Sequence, residues 1–159
     1  MKKLIALVLA LALSLVSVAA LAVTNEDIKI GYIMVGDENE AFTYAHVKGA
    51  KAMQEALGVG DDQVIYKWNT PEDESCYDAA IDLAEQGCDI IFANSFSFES
   101  CRFRGAEEYP EIQFCHATVV TAEASSLKNA HNYFMQIHEA RYVSGVVAGL
   151  KINEMIESG

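Results

Sequence analysis

Four short apolar runs dominate the chain: "IKIGYIMV" (28–35), "QVIYKW" (63–68), "CDIIFA" (88–93) and "IQFCHA" (112–117). Each is rich in β-branched or aromatic residues, and the continuous ones have the character of strands covered on both faces. The intervals between them read as helices. Phe42, Ala45, Gly49, Ala52, Met53 and Ala56 recur at helical spacing before a stop at Gly58. Thr70-Pro71-Glu72-Asp73 opens a second helix, with acids suited to its positive end. Its buried stripe is predicted as Tyr77, Ala80, Ile81 and Ala84, ending at Gly87. A third helix is predicted over 99–109, closed by Pro110. A weaker fifth strand, "HNYFM" (131–135), precedes the apolar stretch "HEARYVSGVVAGLKINEM" (138–155), which reads as a fourth helix packed on that strand. Gly145 and Gly149 would there allow close backbone approach.

This order predicts an α/β fold: a mostly parallel sheet with helices on both faces. Right-handed crossovers place all strand C-termini on one edge, where such sheets bind ligands near a topological switch point. Three loops then matter: "GDENEAF" after the first strand, "NSFSF" after the third and "TVVTAEASS" after the fourth. They supply Asp37, Glu38 and Glu40 as acceptors, Asn39 and Asn94 as mixed donors and acceptors, the Ser95 and Ser97 hydroxyls, and the flat faces of Phe42 and Phe96. Three carboxylates beside the first helix disfavour a phosphate, although helix N-termini attract anions. The set suits a neutral ligand with hydroxyls or ring nitrogens and one flat face. An Asp or Asn before a helix is most often a cap, and Phe42 is also readable as a core residue.

The N-terminus carries Lys2 and Lys3, an apolar run from Leu4 to Val16 and the sequence Ala20-Leu21-Ala22. This is the layout of a signal peptide over 1–22, leaving 23–159 as one domain. Export follows, to an extracytoplasmic position at the outer face of the plasma membrane. Of 11 basic residues two lie in the signal, so nine face 23 acidic ones. Nucleic acid is thereby disfavoured as a partner. Cysteines 76, 88, 101 and 115 show no metal-ligand spacing, and a chain of this length can build its own core. Their even number in an exported chain invites a disulfide reading, but free or buried thiols are the favoured one; no metal or cofactor is expected. His116 and His131, in or beside strands, read as satisfied core histidines. No nucleophile elbow, P-loop or H-E-x-x-H motif is present, so no catalytic residue is assigned.

"EARYVSGVVAGL" (139–150) resembles the "EARYLAGVVAG" fingerprint of the basic membrane protein family, nucleoside-binding components of ABC transporters. "AFTYAHVKGAKAMQEALG", "AAIDLAEQGCDIIFANSF" and "AEEYPEIQFCHAT" resemble further family blocks in the same order. The resemblance implies the first lobe of a type I periplasmic-binding-protein fold, with a purine-nucleoside-like ligand and a membrane permease as partners. It implies Asp37, Asn39, Phe42, Asn94 and Ser95 as ligand-binding residues, with Phe42 against the base. Family chains are more than twice as long, so the expectation is an N-terminal fragment lacking the second lobe. No lipobox cysteine is found, where many members have one. Two other classes stay open. A ligand-sensing receptor domain would be recognised by a neighbouring kinase gene, and an exported enzyme would need Ser95 or Ser97 as nucleophile.

Overall fold

Strand β1 (Ile30–Ile33) lies inside a five-stranded parallel sheet of order β2-β1-β3-β4-β5, in a computed structural model that describes residues 25–118, 120–134 and 137–158. The other strands are β2 (Val64–Lys67), β3 (Ile90–Ala93), β4 (Gln113–Ala117) and β5 (Ala130–Tyr133). Helices α1 (Ala41–Leu57), α2 (Ser75–Glu85) and α3 (Glu99–Glu108) connect them, and α4 (Ile137–Ser158) follows β5. The alternation and the parallel pairing are those expected of the sequence. The predicted signal lies outside the described residues.

Each face of the sheet has its own core. On one, Ile33, Leu83, Ile91, Phe98 and Phe114 pack with Cys76 and Cys101 beneath α2 and α3. On the other, Ile30, Tyr32 and Met34 pack against Val47 and Ala50 of α1. Full burial of a side chain such as Leu83 or Phe98 contributes roughly 1.5–3 kcal/mol. The second face also carries a row of rings across the strands. Trp68 stacks on Tyr66, Tyr66 on Tyr32 and Tyr32 on Phe92, with centroids 4.5, 5.0 and 5.1 Å apart. Strand register produces this row: Tyr32 pairs with Tyr66 on one side and Phe92 on the other.

Three details differ from the expected pattern. The buried stripe of α1 is Thr43, Val47, Ala50 and Gln54, not the set of Ala, Gly and Phe positions. Alanine and glycine contribute little apolar area, so the one large β-branched residue decides which face turns inward. In α2 the buried positions are Cys76, Ala80, Leu83 and Ala84, leaving Tyr77 and Ile81 half-buried. His131 is exposed rather than core, because β5 is an edge strand; its Nε2 bonds Gln113 Oε1 at 2.8 Å.

The largest difference is α4. Every described side chain in it is exposed, including Tyr142 (75%), Leu150 (65%) and Ile156 (73%). The expected packing on β5 is not made, and nothing lies within 4 Å of a Cβ placed on Gly145 or Gly149. An apolar pattern states that a helix needs cover but does not name the surface that provides it. No helix among the described residues is long and apolar enough to cross a membrane.

Candidate functional site

All five strands run the same way, so the connections leaving their C-terminal ends share one edge of the sheet. The strand order reverses between β1 and β3, which makes their exits the switch point. Asn94 fills that position. Its Oδ1 accepts from Val35 N–H at 2.9 Å and its Nδ2 donates to Thr43 Oγ1 at 3.3 Å. The side chain is 1% exposed and ties the exits of β1 and β3 to the first turn of α1. Ser95, also buried, donates to Glu72 and accepts from Ser97 N–H, opening the 3-10 turn Phe96–Phe98. Both side chains are committed to the protein and form the floor of the edge.

Beside this floor lies an open depression of about 370 Å³, lined by Asp37, Glu38, Asn39, Trp68 and Asn69. Asp37 Oδ1 accepts from Asn39 N–H at 2.8 Å. Hydrogen bonds from the Asn39 backbone first, then from the Asn39 and Asn69 side chains, hold its carboxyl below the usual range. Asp37 therefore stands as a carboxylate acceptor at the rim. The cap of α1 is Glu40, not the Asp or Asn expected before the helix. Its two oxygens accept from Phe42 and Thr43 N–H at 2.8 and 2.6 Å, which also lowers its pKa. The loops after β1 and β2 are joined by Asn69 N–H to Gly36 O at 3.2 Å and Thr70 N–H to Met34 O at 2.9 Å. Asn69 takes φ 51°, a left-handed conformation that asparagine tolerates better than most residues.

Of the five sequence-selected residues, the structure brings Asp37 and Asn39 together in the depression. Phe42 sits at the start of α1, half-buried, edge-on to His46 with centroids 4.8 Å apart. Asn94 and Ser95 are buried at the β3 exit and do not line the depression. Trp68 and Asn69 are absent from that selection, because the loop after the second strand carries no run of polar groups. The available signal was the chain's single tryptophan at the C-terminal end of a strand. Trp68 is 37% exposed and stacked face to face on Tyr66, so one flat side remains available at the rim.

Farther along the edge, His116 is fully buried on β4 and donates from Nε2 to the Ser95 carbonyl at 2.6 Å. A carbonyl only accepts, so the ring proton is on Nε2 and Nδ1 is left without a protein partner. Burial lowers the His116 pKa. Among the described residues no group of His, Cys, Asp and Glu is placed to hold a metal ion. A second hollow, about 490 Å³, lies under the 120–134 segment and contains none of the selected residues.

A parallel α/β sheet with polar and aromatic groups gathered at its C-terminal edge has the layout of a ligand-binding edge, and comparison with known proteins gives its family. Residues 25–159 match the PnrA-like ABC transporter substrate-binding proteins (Bmp), and the chain belongs to that family. It is 32% identical over 126 residues to a purine-binding protein of Brucella abortus (strain 2308), covering 78% of this chain and 34% of that one. A Haloferax volcanii protein described as a candidate ABC transporter glucose-binding protein is 21% identical over 127 residues, covering 79% and 31%. The chain thus spans about a third of the length of these relatives. Among solved structures, an ABC transporter solute-binding protein from Conexibacter woesei superposes with a TM-score of 0.59 at 19% identity. That match covers 67% of this chain and 35% of the other, and it supports the fold alone.

Proposed function

We propose that this chain forms one wall of the binding cleft of an extracytoplasmic ABC-transporter subunit whose ligand is a purine nucleoside or a close analogue. The observation that carries this reading is the depression between the β1 and β2 exits. There an exposed aromatic face (Trp68) stands beside a carboxylate (Asp37) and two amides (Asn39, Asn69). A purine needs a flat apolar surface and edge acceptors and donors, and a ribose needs acceptors for its hydroxyls. The purine-binding relative supports the same ligand class. Phe42 adds a second ring at the start of α1, while Asn94 and Ser95 hold the β3 exit in place. The partner in the membrane is an ABC permease, and the second wall of the cleft comes from a further lobe.

The acidic rim refines the ligand. Asp37, Glu38 and Glu40 stand together with Lys51 as the cation paired to Glu38 at 3.4 Å. A phosphate would meet net repulsion there, so a nucleoside should bind at least about tenfold more tightly than its 5′-monophosphate. The test is calorimetric titration of a form spanning the length of the relatives with guanosine, inosine, adenosine, adenosine monophosphate and glucose. Nucleoside binding weakened by about 1–3 kcal/mol in Trp68→Ala is the expected result. Preference for glucose, or an unchanged affinity in both Trp68→Ala and Phe42→Ala, would sink the reading. The chain alone, with a single wall, should bind nucleosides weakly, because pockets bury most of their ligand.

A further inference from the structure

The four cysteines are free thiols, yet their placement is not equivalent. Cys76 lies in the first turn of α2 and Cys101 in the first turn of α3, and both belong to the same core cluster. They are 1% and 3% exposed. The two thiols shift each other's pKa in opposite directions, that of Cys76 up and that of Cys101 down. The Asp73 carbonyl marks how closely they meet: it accepts the Cys76 N–H at 3.2 Å and is 3.9 Å from Cys101 Sγ. The other two cysteines are held elsewhere. Cys88 packs under Leu83, where its Sγ would lie 3.3 Å from a Cβ on Gly31. Phe114 touches α3 through Gly105, so its neighbour Cys115 projects to the opposite face, towards Tyr32 and Tyr133.

We propose that Cys76 and Cys101 close a disulfide that joins α2 to α3 in the exported protein, with Cys88 and Cys115 remaining thiols. The setting of the bond rests on the extracytoplasmic reading above; the pairing rests on the shared core cluster and on the Asp73 carbonyl that both residues meet. The chemistry needs an organic disulfide such as glutathione disulfide as oxidant. The Cys101 thiolate attacks one of its sulfurs and releases the first glutathione. The Cys76 sulfur, giving up its proton, then attacks the mixed disulfide at Cys101 and releases the second. The two cysteines lose two electrons and two protons, which leave on two glutathione thiols. Cys101 is the attacking partner: as α2 and α3 come together, the contact with Cys76 draws its pKa down, to about 7 in the finished fold, and raises that of Cys76. Because both sulfurs are buried in the finished fold, the exchange belongs to the folding step, before the cluster closes.

Cleavage after glutamate separates the relevant cysteines, since Cys76, Cys88, Cys101 and Cys115 fall in peptides 75–85, 86–99, 100–107 and 112–123. The chain is refolded from denaturant in a glutathione redox buffer, acid-quenched, alkylated under denaturing conditions and digested. Mass spectrometry should find 75–85 linked to 100–107 and lost on reduction, with Cys88 and Cys115 alkylated. The link should raise the thermal midpoint by about 10 °C, a shift abolished by reductant and absent from the C76A/C101A double variant. Full alkylation of all four cysteines, or a link through Cys88 or Cys115, overturns the pairing whatever the compartment. The same digestion of chain recovered from the outer face of expressing cells tests the setting. Reduced Cys76 and Cys101 in that material, despite a bridge formed in the refolded chain, overturn the proposal and leave the ligand assignment untouched.

Discussion

Helices α1 and α4 both leave the C-terminal edge of the sheet after a short connection, and both are long. In α1, Val47 and Ala50 are 1% and 4% exposed against the sheet. In α4, Tyr142, Val143, Val147, Leu150 and Ile156 are all at least 60% exposed. The two helices are similarly apolar, yet the burial of α4 is the smaller. Its apolar side chains spread too widely around the helix for a single stripe, a distribution that suits a helix enclosed on several sides. What separates the two is the supply of a matching surface. The sheet offers α1 a face of Ile30, Tyr32 and Met34, and offers α4 nothing among the described residues.

The sharpest way to break this contrast is a matched pair of truncations. Leu83→Ala, in the packed body, should cost about 2–5 kcal/mol, and Leu150→Ala within about 0.5 kcal/mol of nothing, both read from denaturant unfolding of this chain. Equal losses would mean that α4 is covered in solution. Glycine substitutions probe the same difference with opposite signs. A Cβ on Gly105 would sit 2.7 Å from the Phe114 ring, so Gly105→Ala should destabilise by about 1–3 kcal/mol. Gly149→Ala has open space and should raise α4 helicity, with a gain of about 0.5–1 kcal/mol in helix stability visible by circular dichroism. Replacing the α1 cap by Glu40→Ala should cost about 1 kcal/mol in thermal unfolding; no loss would mean that the cap is replaced by water.

The smallest effect concerns pH. Burial lowers the pKa of both His116 and His46, so the folded body binds fewer protons than the unfolded chain as pH falls below about 6.5. Stability should decline between about pH 6.5 and 5, before the carboxylates contribute. His116→Asn should flatten part of the decline. An unchanged slope in that variant would assign the effect to other groups.

How much of this was legible in the sequence differs by feature. The strand runs 63–68, 88–93 and 112–117 and their helical intervals gave the parallel sheet and the edge that carries the candidate site, because period and β-branching are local properties. Gly58 and Gly87 marked helix ends correctly, and both take positive φ (70° and 81°). Which face of α1 turns inward was not legible, since six small or mixed residues outvote Val47 in a pattern but not in buried area. In the site, Asp37 and Asn39 were found through their loop. Trp68 was not, because its significance arises from Tyr66 two residues before it and from the neighbouring loop of β1, a contact across the sheet. Asn94 and Ser95 were placed at the correct edge, while their burial depends on Thr43, Val35 and Glu72, residues distant in sequence.

The row of rings ending at Trp68 also makes the molecule its own optical probe. The chain holds one tryptophan, and it stands at the rim of the depression with one side on Tyr66. Its emission is therefore a single-site signal, uncomplicated by a second indole. Tyr66 and Tyr32 lie within a few ångströms along the row, so light absorbed by these phenols is passed to the indole. A ligand that covers the free face of Trp68 changes the colour and intensity of that emission at its own point of contact.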